Sequence, residues 1–203
     1  LQGDAIAHPW MWYQFLTAGF VHDPENHWHI TGNMLGLYFF GQPLEDRYGT
    51  KEFLRFYLAA IVLSLLTWSL RLYFVEGPTA AAATHCMGAS GGVTASVILF
   101  CLLYPRATLL LFFIIPTPAW LVGILLVASD ILGARLPGQS GRVAFDAHLA
   151  GATFALTYWY FGWNLGRLPG AGYLQRLFGK PQKWFKPRPP LKMHDPDQYY
   201  EDL

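Results

Sequence analysis

Residues 53–74 read FLRFYLAAIVLSLLTWSLRLYF, with only two charged side chains, Arg55 and Arg71, each near one end. About 20 apolar residues in a helix span the roughly 30 Å hydrocarbon core of a bilayer, and this stretch meets that requirement. Working outward, further apolar segments lie at 28–44, 87–104, 118–133 and 143–163. The last is long enough to span. The other three are short, which is tolerated where a helix begins inside the membrane and its free backbone groups meet a water-filled cavity. The fourth can be lengthened backward through 109–115 only with a break at Pro116 and Pro118.

Composition points the same way. The chain is 53% hydrophobic and only 13% charged, a balance that an ordinary soluble domain rarely has. Eight Trp, eleven Tyr and fifteen Phe are enough to furnish aromatic belts at both membrane interfaces. The net charge of +1 hides an asymmetry: no Lys or Arg precedes Arg47, and seven of the fourteen fall within 167–192. If the first segment runs inward, eleven of the fourteen collect on the inner side, and only Arg71, Arg135 and Arg142 remain outside. The expectation is an all-α polytopic membrane protein with its membrane core over 1–164. Residues 1–27 form an interfacial loop, because the aromatic stretch at 8–20 is too short to span. Residues 165–203 form a flexible, basic, cytoplasmic tail. Leu1 is not an initiator residue, so the chain reads as a mature product or a piece of a longer one. Cys86 and Cys101, read on one helix, stand about 22 Å apart and cannot pair.

Three polar constellations interrupt the apolar segments. Gly88-Ala89-Ser90-Gly91-Gly92 sets a hydroxyl among glycines at the start of the third. The string fits helix packing through Gly88 and Gly92 as readily as it fits a nucleophile. His148 lies about one and a half turns into the fifth segment, followed by Gly151. Ionisable side chains inside membrane helices usually face a partner or a cavity, although a plain interhelical hydrogen bond would also explain this one. His29 and Asn33, at i and i+4, share one face of the first segment, where they serve either chemistry or helix adhesion. Gly32 and Gly36 form a small-residue pair that could seat this helix against a neighbour. Acyl transfer needs a nucleophile, a base and donors for the oxyanion, and these three sites supply one candidate set at matching depth.

HWHITGN, GASGG and AFDAHLAG, in that order and on separate segments, resemble the HxxxN, GxSG and AHxxG signatures of rhomboid intramembrane serine proteases, with a match from about Pro9 to Trp163. The resemblance implies a rhomboid-like helical bundle with about five of the six core transmembrane helices present and the first one absent. It implies Ser90 as nucleophile and His148 as general base and acid. The oxyanion would be held by the Ser90 amide, His29 and Asn33, with Gly88 and Gly91 keeping the approach open and Gly151 shaping the site. The family works with a Ser-His dyad, so neither Asp130 nor Asp146 is assigned to a triad. Asp146 is two positions from His148 and cannot share its face, and Asp130 reads as an interfacial charge or a partner of Arg135. The implied substrate is a single-pass transmembrane protein cut near the outer face of the lipid bilayer, with no cofactor, metal or nucleic acid. The glycine-rich loop at 133–141 reads as a mobile cap or as ordinary loop chemistry.

Other classes are weighed against this one. A catalytically inactive rhomboid-like client binder would need neither Ser90 nor His148. A transporter predicts inverted repeats, and none is visible. A metalloprotease using His22, His27 and His29 lacks an HExxH or comparable ligand spacing.

Overall fold

Backbone N–H and C=O groups find no water in hydrocarbon, so the apolar segments satisfy them internally as helices. A computed structural model describes residues 1–111, 114–134 and 145–167. Short turns, including α1 (Gln14–Thr17), lead into α2 (His27–Tyr48) and α3 (Thr50–Arg71), the latter prolonged by a π-helical turn, Leu72–Glu76. A single-turn α4 (Pro78–Ala82) precedes α5 (Ser90–Leu103). Strands β1 (Thr108–Leu111) and β2 (Ile115–Pro118) pair antiparallel, and α6 (Ala119–Gly133) and α7 (Phe145–Tyr160) complete the bundle.

The five long helices are those expected, with altered ends. The hairpin was not anticipated. Its register sets Leu109 opposite Thr117 and Pro116 opposite Leu110 in a two-stranded ribbon. Proline is tolerated there because both strands are edges. Helix α5 begins at Ser90 and not at 87, because Gly88 adopts φ +114°, outside the helical region. Cys86 is therefore not on the helix of Cys101, and both thiols are free. Among the described residues, only Thr50–Glu76, 27 residues with mean hydropathy 1.8, is long and apolar enough to cross a bilayer by length and composition. Helices α5 and α6 are apolar but shorter, and α7 has 16 residues, not the spanning length expected for 143–163. Arg135, Arg142, most of the loop at 133–141 and the tail beyond 167 lie outside the described residues.

Helix α5 is the axis of the molecule. Every residue from Gly91 to Cys101 is buried, and α2, α3, α6 and α7 all pack on it. The α3–α7 contact is aromatic: Phe56 stacks on Phe154 at 5.3 Å and meets Tyr158 edge-on at 4.8 Å. At the basic end Glu52 is 2% exposed, yet its carboxylate accepts from Tyr158 Oη at 2.9 Å, from the Gly166 amide at 2.9 Å and from the Leu165 amide. This ties the chain leaving α7 to the first turn of α3, where an acidic group also complements the helix dipole. At the other end the Ser69 hydroxyl donates to the Gly3 carbonyl at 2.6 Å, and the Gly88 amide donates to the Ala18 carbonyl at 3.0 Å. The N-terminal turns thus brace the segment that leads into Ser90.

Around an apolar core that also buries a few polar groups, the exterior is more apolar than that of a water-soluble bundle. Asn33, Ser64, Ser96 and Asp130 are buried, while α2 exposes Ile30, Met34, Leu35 and Phe39 and α6 exposes Ile124, Leu125 and Leu132. Apolar side chains facing outward and polar ones facing inward suit hydrocarbon, where helices gain nothing by hiding leucine and much by pairing polar groups. The N-terminal turns expose Trp10, Trp12, Tyr13 and Phe20 and bury Phe15 and Ala18, an arrangement for an interface.

Candidate active site

Ser90 is the first residue of α5, His148 lies in the first turn of α7, His29 in the first turn of α2 and Asp130 in the last turn of α6. Four elements therefore deliver these side chains to one end of the bundle. What lets two of them meet is an absence of side chains. A Cβ on Gly151 would overlap the Gly91 carbonyl, and one on Gly91 would overlap Ser64 and stand 3.2 Å from the Ala147 carbonyl. Backbone-to-backbone approach of α5 and α7 at this level sets Ser90 beside His148, with Oγ 2.9 Å from Nε2. Gly91 thus serves the helix contact and does not line an approach to the hydroxyl, because its vacant side faces Ser64 and Ala147.

Gly88 occupies the other side. A Cβ there would stand 2.5 Å from His29 Nε2, so glycine lets His29 reach the segment before Ser90, while Asn33 Nδ2, 3.7 Å from that position, lies in ordinary contact range. The Asp23 amide donates to His29 Nδ1 at 3.4 Å. With Nδ1 accepting, the neutral ring carries its proton on Nε2, the atom beside Gly88. Asn33 is 6% exposed and its Nδ2 is buried with no protein partner, a donor left open at the site. The Ser90, Gly91 and Gly92 amides are the first of α5, and the first backbone bond there runs from the Val93 amide to the Ala89 carbonyl. His22 packs edge-on to His29 at 5.1 Å, and burial, reinforced by His29, holds its imidazole below the ordinary histidine range. Gly36 packs on Val93 and so seats α2 on α5, whereas Gly32, expected to share that task, meets nothing within 4 Å.

The aspartates divide differently from expectation. Asp146 pairs with Arg71 of α3 at 3.1 Å and points away from the imidazole, as the i, i+2 spacing requires. Asp130 is not an interfacial charge. It is 5% exposed, and its Oδ1 lies 3.0 Å from His148 Nδ1, on the opposite edge of the ring from Ser90. Its suggested partner Arg135 lies outside the described residues. The signal was present in the sequence: one carboxylate in AWLVGILLVASDILG is as conspicuous as one histidine in α7, and the same rule applies to both.

A groove of about 650 Å³ runs between α3 and α7 and is lined by Leu63, Thr67, Arg71, Asp146, Thr153 and Trp163. It does not include Ser90. Convergent polar atoms, not volume, mark the candidate site. Among the described residues no group of three or more His, Cys, Asp and Glu is placed to hold a metal ion.

Residues 9–165 match the Rhomboid domain family. The chain is 36% identical over 159 residues to the mitochondrial RHOMBOID-like protein 12 of Arabidopsis thaliana, a match covering 72% of this chain and 45% of that protein. It is 32% identical over 139 residues to the mitochondrial Rhomboid protein 1 of Saccharomyces cerevisiae, covering 67% of this chain and 38% of that protein. The chain thus spans less than half the length of either curated relative. No solved structure matches it. The family match runs from the N-terminal aromatic turns through α7 and takes in all five long helices, so the chain belongs to the rhomboid family.

Proposed function

We propose that this chain is the catalytic core of an intramembrane serine endopeptidase acting through Ser90 and His148. The observation that carries the reading is the 2.9 Å approach of Ser90 Oγ to His148 Nε2 inside an apolar bundle. Rhomboid family members act on membrane proteins within the bilayer. Ser90 Oγ bonds to the scissile carbonyl carbon while its proton passes to His148 Nε2. The carbonyl oxygen takes the displaced electron pair and is met by the Ser90 amide, His29 Nε2–H and the open Asn33 Nδ2 donor. As the tetrahedral intermediate collapses, the C–N bond breaks and His148 returns the proton to the leaving amine. Water, deprotonated by His148, then releases the acyl group and restores the serine. No metal or cofactor enters these steps.

The substrate in this reading is a transmembrane helix of a single-pass protein, cut near the membrane face where α2, α5 and α7 begin. The basic residues Arg47, Lys51, Arg55 and Arg106 and the tail belong to the opposite face. Both relatives are named mitochondrial, which makes a mitochondrial membrane the proposed location.

The test is labelling of the full-length protein in detergent by a serine-directed fluorophosphonate, comparing wild type with Ser90→Ala and His148→Ala. Labelling of wild type that both substitutions abolish supports the reading. A folded wild type that takes no label points instead to a rhomboid that binds clients without cutting them.

A further inference from the structure

We infer that Asp130 is a positioning residue for this hydrolysis, holding the His148 ring on Ser90 with its Nε2 lone pair toward the hydroxyl. The inference rests on the proposed roles of Ser90 and His148. The two ring nitrogens of His148 have different partners, Asp130 Oδ1 at 3.0 Å on Nδ1 and Ser90 Oγ at 2.9 Å on Nε2. A carboxylate only accepts, so Nδ1–H donates to Asp130 and Nε2 is left free to accept the serine proton. When that proton arrives, the imidazolium forms beside an anion, and the developing charge is met without moving any group.

Burial makes the pairing consequential. The Asp130 side chain is 8% exposed and that of His148 17%, and Asp130 Oδ2 is buried with no protein partner. A carboxylate in such a place is costly unless a partner compensates it, and the imidazole is the partner within reach. Three helices contribute one side chain each, so the alignment also registers α6 against α5 and α7. The charged and titratable groups on the elements around His148 are few. Helix α6 offers only Asp130, and α5 offers only Cys101, ten residues beyond the start of its buried run. On α3, Arg71 is engaged by Asp146 and Glu76, and Lys51, Glu52, Arg55 and Tyr57 lie toward its opposite end. On α7 itself Tyr158 and Tyr160 lie at the far end, and Asp146 is held by Arg71.

The experiment is the pH dependence of fluorophosphonate labelling of the full-length protein, for wild type, Asp130→Asn, Asp130→Glu and Ser90→Ala, with the folded fraction of each followed by thermal melting. Asp130→Asn is expected to lower the plateau rate about 10²- to 10⁴-fold, since the amide can donate to Nδ1 and trap the ring in the wrong tautomer. Loss of the negative charge also disfavours the imidazolium. The acid limb of the rate profile is then expected at lower pH than in wild type. Asp130→Glu keeps the charge, so its acid limb stays near that of wild type while its plateau falls at least about tenfold through misplacement. Rates per folded molecule that match wild type in both variants, with an unmoved acid limb, overturn the inference and leave Asp130 as a structural tether. If Asp130→Asn does not fold, the plateau of Asp130→Glu decides by the same criterion. Absence of label in wild type, or label that survives Ser90→Ala, overturns the underlying reading and this inference with it.

Discussion

Buried polar atoms without partners are rare in folded proteins, and here Asn33 Nδ2 lies by Gly88, two residues before Ser90, while Asp130 Oδ2 belongs to the carboxylate bonded to His148. Under the proposed function, the open Asn33 donor beside Gly88 would meet a developing oxyanion, a use that a resting protein does not have for it. Asn33→Ala is therefore expected to leave the melting temperature in detergent unchanged or slightly raised, because it removes an unsatisfied group. The rate of peptide-bond cleavage should fall about 10²- to 10³-fold, the usual loss of one oxyanion donor. An unchanged rate would remove Asn33 from the chemistry. At this scale the sequence was informative wherever a polar residue stood alone in an apolar run, which is why Ser90, His148, His29 and Asn33 could be picked out. Asp130 was equally visible but was placed at an interface. A one-dimensional reading could not tell that the last turn of α6 faces the ring of His148 and not lipid.

Among the elements, the contact between α5 and α7 fixes the site, and Gly91 and Gly151 make it possible. Gly151→Val drives a branched side chain into the Gly91 carbonyl, so it should lower stability by about 1–3 kcal/mol in denaturant titration. Activity should fall further than that loss explains, since Ser90 and His148 separate as the helices part. Gly32→Ala supplies the contrast. Its Cβ meets nothing within 4 Å, and replacing a helix-interior glycine with alanine is expected to be neutral or to stabilise by up to about 1 kcal/mol. A Gly151→Val variant as stable and active as wild type would mean that the two helices tolerate a wider separation. Apolar content and length marked the five segments that, among the described residues, carry the five long helices, because hydrophobic runs of that size have few other uses. They missed the hairpin at 108–118, where Pro116 and Pro118 ended a helix without showing that the chain would pair with itself. They also missed the start of α5, which depends on the positive φ of Gly88.

The molecule as a whole buries a few polar side chains, Asn33, Glu52, Ser64, Ser69, Ser96 and Asp130 among them, and exposes many large apolar ones, a surface that water would not select. That apolar exterior, together with α3, suits membrane residence even though α5, α6 and α7 are shorter than a full span. Under the proposed function, short helices whose N-termini carry Ser90 and His148 would place hydrolytic groups below the membrane surface and leave a polar way in for water. Arg47, Lys51, Arg55 and Arg106 lie toward the end of the bundle away from Ser90, and the proposed orientation rests on them and the positive-inside rule. Composition made the membrane character readable from sequence. The packing of α2, α3, α6 and α7 around α5 was not, because contacts between helices leave no periodic trace once every helix is apolar on most sides. The most direct test is to reconstitute the full-length protein into lipid vesicles with a single-pass transmembrane substrate bearing helix-destabilising residues near one membrane face, and to follow the products by mass spectrometry. One internal cut near that face, made by wild type and lost in Ser90→Ala, is the predicted result. A substrate that stays intact while bound equally by wild type and Ser90→Ala would contradict proteolysis.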